Sequence, residues 1–183
     1  TEKAFIDRVR TLDRARLSVL KRNAGKAISE SRNVGWFYGL LDSDQRGRDE
    51  EIYFLTATLL ALDRRSIEGR GEFKGDLGKT LAKVAAQGSP EAIERRFSLL
   101  LDSTFELENG WKPIGGELAF RLRQTVKLVL SREIGIDWDQ LLHDLLRWGH
   151  PSKFVQKSWA QNFFTPAHQG IPKPEGKETQ NAR

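Results

Sequence analysis

The stretch from residue 135 to residue 164 constrains the fold of this chain most strongly, because it predicts two short helices that share one apolar surface. Asp137 precedes an apolar run, and Gln140 lies three residues after Asp137. At this spacing the two side chains can each accept a hydrogen bond from a free backbone N–H at the start of a helix. We therefore predict a helix that begins at Trp138 and ends at Gly149, just before a proline. Its core face is formed by Leu141, Leu142, Leu145 and Trp148.

A second helix is predicted after a tight turn, with Ser152 in position to cap it. Its apolar residues recur at four-residue steps, as expected for one buried face: Val155, Trp159 and Phe163. The two helices contain three tryptophans between them. They predict an αα-hairpin whose apolar surface must be buried against the rest of the chain.

Similar periodicity elsewhere predicts an all-α fold, with about eight helices in two small bundles and no significant sheet. We expect a basic N-terminal helical subdomain over residues 1–72, a C-terminal helical bundle over residues 73–165 and a disordered tail over residues 166–183. Residues 105–116 are expected to form a loop. The hydrophobic share of 38% can supply a core.

The composition excludes several classes of protein and site. The chain has no cysteine, which excludes disulfides, thiolate metal sites and a cysteine nucleophile. No apolar stretch is long enough to span a membrane, and the first apolar positions are too often interrupted by charges to resemble a signal peptide. These observations predict a soluble protein, and the lack of cysteine agrees with a cytoplasmic location.

The positive charge is concentrated near the N-terminus. The net charge is +5, and residues 1–48 alone contain 11 Lys and Arg against 6 Asp and Glu. A one-sided basic region is typical of proteins that bind polyanions, although the same charges could serve only solubility.

Several regions place basic side chains where they could meet phosphate groups. In the predicted second helix the basic residues lie opposite the apolar ones, and Gly25 ends the helix just before a further lysine. Another arginine ends the polar loop over residues 42–48, and one lies at the edge of a core face in the helix predicted to start near residue 90. A basic pair lies one turn apart on the far side of a later helix. The candidate nucleic-acid-binding residues are Arg14, Lys21, Arg22, Lys26, Arg48, Arg96, Arg123 and Lys127.

Charge spacing leaves two interpretations of these residues open. They could contact phosphates, or they could be ordinary solvated helix faces. If they bind nucleic acid, we expect no aromatic side chain on the same faces to stack on bases, and therefore little preference for sequence.

Two patterns imitate catalytic or cofactor sites. Gly78, Lys79 and Thr80 match the end of a phosphate-binding P-loop, but Phe73 occupies the position of the first glycine that this motif requires. We predict instead a helix capped by Asp76, in which the glycine permits close contact with another helix.

His143 with Asp139 and Asp144 is the only group near metal-ligand spacing, and exposed polar residues commonly show that spacing. No nucleophile elbow or dense acidic cluster is present. The chain is therefore predicted to be a non-enzymatic binder without a metal or cofactor.

The C-terminal helices also carry a resemblance to a known family. Ile-Asp-Trp at 136–138, Asp-Leu-Leu-Arg-Trp at 144–148 and Val-Gln-Lys-Ser-Trp-Ala-Gln-Asn-Phe-Phe at 155–164 resemble the C-terminal signature of the CasB family, the small subunit of the type I-E CRISPR surveillance complex Cascade. The run from Leu12 to Gly25 is similar to the N-terminus of that family.

Further similarities lie between these two ends. The family's aromatic pair is matched by Phe37 and Tyr38, and its Leu-Gly-x-x-Leu pattern by residues 77–81. The resemblance implies nucleic-acid contact by the basic pair before Gly25 and by Arg96, the second arginine of an Arg-Arg-x-Phe pattern. The chain departs from some relatives after that helix, where Asp102 and Thr104 replace further arginines.

The resemblance implies a non-catalytic function in antiviral defence. Two copies of the family's protein pack head to tail with other Cascade subunits and contact the guide RNA–target DNA duplex and the displaced DNA strand of the R-loop. From the residues alone, a helical adaptor without direct nucleic-acid contact remains the alternative. A hydrolase would cleave nucleic acid with added Mg²⁺, and we expect no such activity.

Overall fold

The computed structural model describes residues 1–71 and 73–165. Within them the chain forms nine α-helices, three short 3-10 segments and one β-hairpin. The α-helices are α1 (Glu2–Arg10), α2 (Arg14–Arg22), α3 (Glu50–Leu60), α4 (Arg64–Ile67), α5 (Leu77–Ala86), α6 (Pro90–Asp102), α7 (Gly116–Ser131), α8 (Trp138–Leu146) and α9 (Phe154–Phe164). The 3-10 segments are Ile28–Glu30, Gly35–Leu40 and Ser43–Gln45, and the strands are β1 (Glu106–Glu108) and β2 (Lys112–Ile114).

This architecture confirms the predicted all-α fold without a significant sheet. The tail predicted over residues 166–183 lies outside the described residues. None of the helices within the described ranges is both long enough and apolar enough to cross a membrane.

The αα-hairpin of α8 and α9 forms as predicted, with one correction at its turn. An Asp137 carboxylate oxygen accepts the Gln140 backbone N–H at 3.2 Å and so caps α8. The second helix begins at Phe154, and its N-cap is Lys153 in the left-handed conformation, with φ of 50°. Ser152 does not cap it, because the Ser152 hydroxyl and backbone N–H both bond the Nδ1 atom of His150, at 2.9 and 3.2 Å.

Each tryptophan of this hairpin has a hydrogen-bond acceptor in the core. The indole N–H of Trp138 donates to Asp63 at 2.9 Å, and that of Trp148 donates to the Ser103 carbonyl at 3.0 Å. Trp159 donates to Asp144 at 2.6 Å. Because all three rings are buried, these bonds remove the cost of burying an unpaired donor and fix the position of the hairpin.

Helix α3 lies at the centre of the molecule. All of its residues are buried. It packs against helices on both sides of residue 72, namely α1, α2, α7 and α8. Buried residues from both parts of the chain form one hydrophobic core, while the subdomain boundary near residue 72 stays a prediction.

The prediction that residues 105–116 form a loop is wrong in part. Strands β1 and β2 pair there as an antiparallel hairpin, with Leu107 opposite Pro113. Asn109 and Gly110 both have positive φ at its tip, a conformation that Asn and Gly adopt at low cost. Lys112 Nζ lies 2.6 Å from an oxygen of the buried Glu50, which ties the hairpin to α3. The Asn-Gly pair was the sequence signal for this turn.

Helix α5 resolves the P-loop imitation. Asp76 accepts the backbone N–H of Lys79 at 3.0 Å and caps the helix as predicted. A β-carbon at Gly78 would lie 2.1 Å from the Trp159 carbonyl oxygen, so the glycine allows α5 to pack closely on α9. The backbone therefore follows a helix and forms no phosphate-binding loop.

Candidate nucleic-acid interface

The eight candidate cations all reach the surface. Arg123 is half-buried, and the other seven are exposed. Within residues 1–71 and 73–165 none of the eight forms an ion pair or a side-chain hydrogen bond. Some other exposed cations are paired, for example Lys3 with Asp7 at 2.9 Å and Arg64 with Glu68 at 2.6 Å. The candidate cations are therefore ones whose charge is not compensated by the protein itself.

Helix α2 presents its basic residues because it packs through one narrow side. Leu20 is its only buried residue, and Arg14, Lys21 and Arg22 are exposed. An Asp13 oxygen accepts the backbone N–H of Arg16 at 2.9 Å and so caps the helix. Arg14, Lys21 and Arg22 are thus held on a regular helix with their side chains in solvent.

A close contact joins the end of α2 to α7. A β-carbon at Gly25, which has φ of 80°, would lie 2.7 Å from Cδ of Arg123. The turn before Lys26 thus lies on the aliphatic stem of Arg123, although almost a hundred residues separate the two in sequence. Lys127 follows one turn later on α7. The contact brings two of the basic segments together at one surface.

Arg96 belongs to α6 and lies beside α7. It lines a pocket of about 270 Å³ between α6 and α7, together with Phe120, Arg121 and Gln124 from α7. Phe120 is 59% exposed and lies one turn before Arg123, so the expectation that no aromatic side chain accompanies the cations is wrong. We call the surface formed by Arg96, Phe120, Arg123, Gln124 and Lys127 the α7 face.

The exposure of Phe120 has a sequence signal that could have been used. On a helical wheel its position falls opposite the buried residues of α7 and beside Lys127. A large apolar side chain on the solvent side of an amphipathic helix is an informative exception.

Arg48 is placed apart from this face. It lines a larger groove of about 540 Å³ between the β-hairpin and the end of α8, and this groove shares no lining residue with the pocket beside Arg96. Lys153 and Trp111 line the same groove, and Trp111 is 51% exposed. The structure therefore separates Arg48 from Arg96.

Two of the three residues considered for a metal, His143 and Asp144, have other neighbours. His143 Nδ1 lies 3.6 Å from a carboxylate oxygen of Glu2 on α1. Asp144 accepts hydrogen bonds from Gln140 and Trp159. Burial raises the pKa of Asp144 even though these two bonds oppose the shift. In the part of the chain that the structure describes, no group of three or more His, Asp or Glu side chains could hold a metal ion.

Comparison with known proteins identifies the family. The family model described as CRISPR-associated protein Cse2 matches residues 15–164. A CRISPR-associated protein Cse2 from Thermus thermophilus is 38% identical over 130 residues, or 68% of this chain. The match spans 63% of that relative's length, slightly less than two thirds.

Solved structures share the fold. The CasB protein of M. ruber is 30% identical, with a TM-score of 0.66 over 89% of this chain and 92% of that one. A chain from a structure named CRISPR RNA-guided surveillance complex has a TM-score of 0.71 over 92% of this chain and 93% of its own; at 21% identity, this match shows the fold alone. The family match, the identity to the Cse2 protein and the shared fold confirm the resemblance found in the sequence, and the chain belongs to the CRISPR-associated Cse2 family, also called CasB.

Proposed function

We propose that this protein is a non-catalytic, nucleic-acid-binding small subunit of Cascade, which stabilises the R-loop of guide RNA, target DNA and displaced DNA strand in antiviral defence. The observation that carries this proposal is the set of eight surface cations that no other described residue pairs. The contact of Gly25 with Arg123 supports it further, since it joins basic segments from both halves of the chain.

Whether an R-loop persists depends on a small difference in free energy. Replacing a DNA duplex by an RNA–DNA hybrid changes the free energy little, because the two duplexes have similar stability. Each phosphate contact releases condensed counterions, and a few such contacts can shift this balance. Cations held on the helical surfaces of α2, α6 and α7 could therefore decide whether the R-loop persists.

The proposal includes protein partners. We expect the chain to bind other Cascade subunits and a second copy of itself, and to bind guide RNA and target DNA without regard to sequence. A chain of this fold occurs in a structure named CRISPR RNA-guided surveillance complex, which supports other subunits of a complex and a guide RNA as partners.

The alternative function is a protein–protein adaptor without direct nucleic-acid contact. The groove beside Arg48 favours it, because Leu107 and Trp111 at its edge are 58% and 51% exposed. Exposed apolar side chains around a groove are typical of surfaces that bind proteins. The two functions differ in whether the isolated chain binds nucleic acid.

An experiment with reconstituted Cascade distinguishes the nucleic-acid-binding subunit from the adaptor. We would assemble Cascade with and without this chain and measure the lifetime of the R-loop on a labelled target. We expect a shorter lifetime without the chain, and the same defect with Arg22→Ala and Arg96→Ala together while the complex still assembles. The matched control changes Lys3 and Arg64 to Ala, which removes the same charge from residues paired within the protein. An adaptor would instead lose assembly on omission and would bind no labelled single strand at low salt.

A further inference from the structure

The pocket between α6 and α7 combines an apolar floor with cationic walls. The floor is made of buried or half-buried apolar side chains from three helices: Leu81, Ile93, Phe97 and Leu128. Among the described residues, those that line the pocket include the guanidinium groups of Arg96 and Arg121 and no carboxylate. Its volume of about 270 Å³ is below the roughly 300–1,000 Å³ of sites for drug-sized ligands, which suits one small planar group.

The acidic residues near this pocket are either neutralised or turned away. Both Nε and Nη2 of Arg121 donate to one oxygen of Glu117, at 2.8 and 2.6 Å. The exposed acids of α6, Glu91, Glu94 and Asp102, line a depression on the other side of that helix. Arg96 is therefore an unpaired cation at the rim, and it can attract an anion.

Polar groups at the pocket are also without partners. Thr125 is 8% exposed and lines the pocket, and its hydroxyl makes no hydrogen bond within the described residues. The exposed Gln124 amide likewise has no partner among them. Both groups are therefore free to form hydrogen bonds with the edge of a ligand that enters the pocket.

Phe120 supplies an aromatic surface at the same place. Its ring is 59% exposed and packs on no other aromatic ring among the described residues. Proteins that bind single strands combine a cationic groove with aromatic side chains on which bases stack. The ring, the unpaired arginine and the free polar groups thus match the chemistry of one unpaired nucleotide.

We infer that the pocket between α6 and α7 binds a single unpaired base of a nucleic-acid strand, with Phe120 stacked on the base and Arg96 on its phosphate. This inference rests on the proposed function and adds a preference for strands whose bases are free. A base held in a duplex is already stacked and cannot enter the pocket. Every base has a π-face, so stacking on Phe120 is compatible with binding that is independent of sequence.

The test compares a labelled oligothymidylate with an abasic oligonucleotide of equal length, which has the same phosphates but no bases. We expect the full chain to bind the oligothymidylate at least about fivefold more tightly, the lower limit for one stacked base. Phe120→Leu should bind the two strands with equal affinity, because it loses the preference for the oligothymidylate without changing the affinity for the abasic strand. Phe120→Tyr should keep the preference. Arg96→Gln should weaken binding to both strands.

Phe154→Leu is the matched control, since Phe154 is an exposed phenylalanine on α9. It should leave the ratio unchanged, and circular dichroism should show that each variant is folded. Equal affinity of the parent chain for both strands, or an unchanged ratio in Phe120→Leu, would overturn the base pocket and leave phosphate binding intact. Absence of binding to either strand would overturn the proposed function as well.

Discussion

Gly78 lies directly against the backbone of Trp159, so that a β-carbon at residue 78 would come within 2.1 Å of the Trp159 carbonyl oxygen. The two residues belong to α5 and α9. The atom in the way is backbone, so it cannot move aside as the end of a flexible side chain can.

Gly78→Ala should therefore destabilise the protein. At a helical position with free space around it, a change from Gly to Ala would stabilise the protein by about 1 kcal/mol, because Ala has the higher helix propensity. Here α5 and α9 must separate, and overpacking costs about 1–3 kcal/mol or more, so we expect a net loss. Urea denaturation measures the free energy of unfolding. Gly149→Ala is the control, since a β-carbon there would have no atom within 4 Å; equal stability of Gly78→Ala and the parent chain would contradict the packing.

Asp144→Ala should destabilise the protein by about 1–3 kcal/mol, because it leaves the buried indole N–H of Trp159 without an acceptor. Burial raises the pKa of Asp144 above its ordinary value of 3.8, so the folded state binds this proton more tightly than the unfolded chain does. The contribution of Asp144 is then complete below pH 3.8 and decreases as pH rises through the folded-state pKa. Denaturation of the parent chain and of Asp144→Ala across this pH range should show a larger difference in the free energy of unfolding at acid pH than at neutral pH. Asp102→Ala, on the exposed end of α6, should change little.

The stability lost in Lys112→Met should depend on pH in the opposite sense to the stability lost in Asp144→Ala. Burial disfavours the charged form of Glu50, but the hydrogen bonds from Lys112 and the Gly47 N–H outweigh it and lower the pKa of Glu50 below 4.5. The hydrogen bond to Glu50 raises the pKa of Lys112 above 10.5. The pair thus stabilises the fold between these values, and its contribution is lost as pH falls through the folded-state pKa of Glu50 or rises through that of Lys112.

We expect Lys112→Met to cost about 1–3 kcal/mol at pH 7 and less below pH 4.5. Chemical denaturation at several pH values measures this difference. Lys157→Met removes an exposed lysine on α9 that has no ion pair among the described residues, and it should give a small difference at every pH. A loss in Lys112→Met that did not vary with pH would show that the side chain acts only through packing.

The double change Arg22→Ala and Arg96→Ala should reduce the salt dependence of binding to a single strand. Each phosphate contact contributes about −0.7 to the slope of log affinity against log salt, so the slope should flatten by about 1 to 1.5. Titration of a labelled oligonucleotide at several salt concentrations measures it, and thermal melting checks the fold. The control pair Lys3→Ala and Arg64→Ala should leave the slope near that of the parent chain. An unchanged slope in a folded double variant would move the phosphate contacts elsewhere, with the loop at Arg48 as the next place to test.

Unrelated sequences of equal length and strandedness should bind with affinities within about tenfold, or about 1.4 kcal/mol. The candidate residues offer phosphate contacts and one aromatic surface, and neither reads the identity of a base. Competition between unrelated oligonucleotides measures this. A larger preference would require a base-reading contact that the α7 face does not explain.

Much of the fold follows from local sequence patterns. The caps at Asp76 and Asp137 and the apolar periodicity of α8 predict those helices, because capping and amphipathicity depend on residues three or four positions apart. The family resemblance was also present in the sequence, and the family match confirms it. Charge counts likewise indicated which side chains to examine, although they could not show which of them are paired.

The tertiary structure decided the relations between distant residues. The contact of Gly25 with Arg123, the pair of Lys112 with Glu50 and the separation of Arg48 from Arg96 depend on how helices pack. Local periodicity identifies which face of a helix is apolar, but it does not determine which other element covers that face. For this reason the sequence identified the candidate cations, while only the packing of α6 against α7 placed Arg96 beside the exposed ring of Phe120.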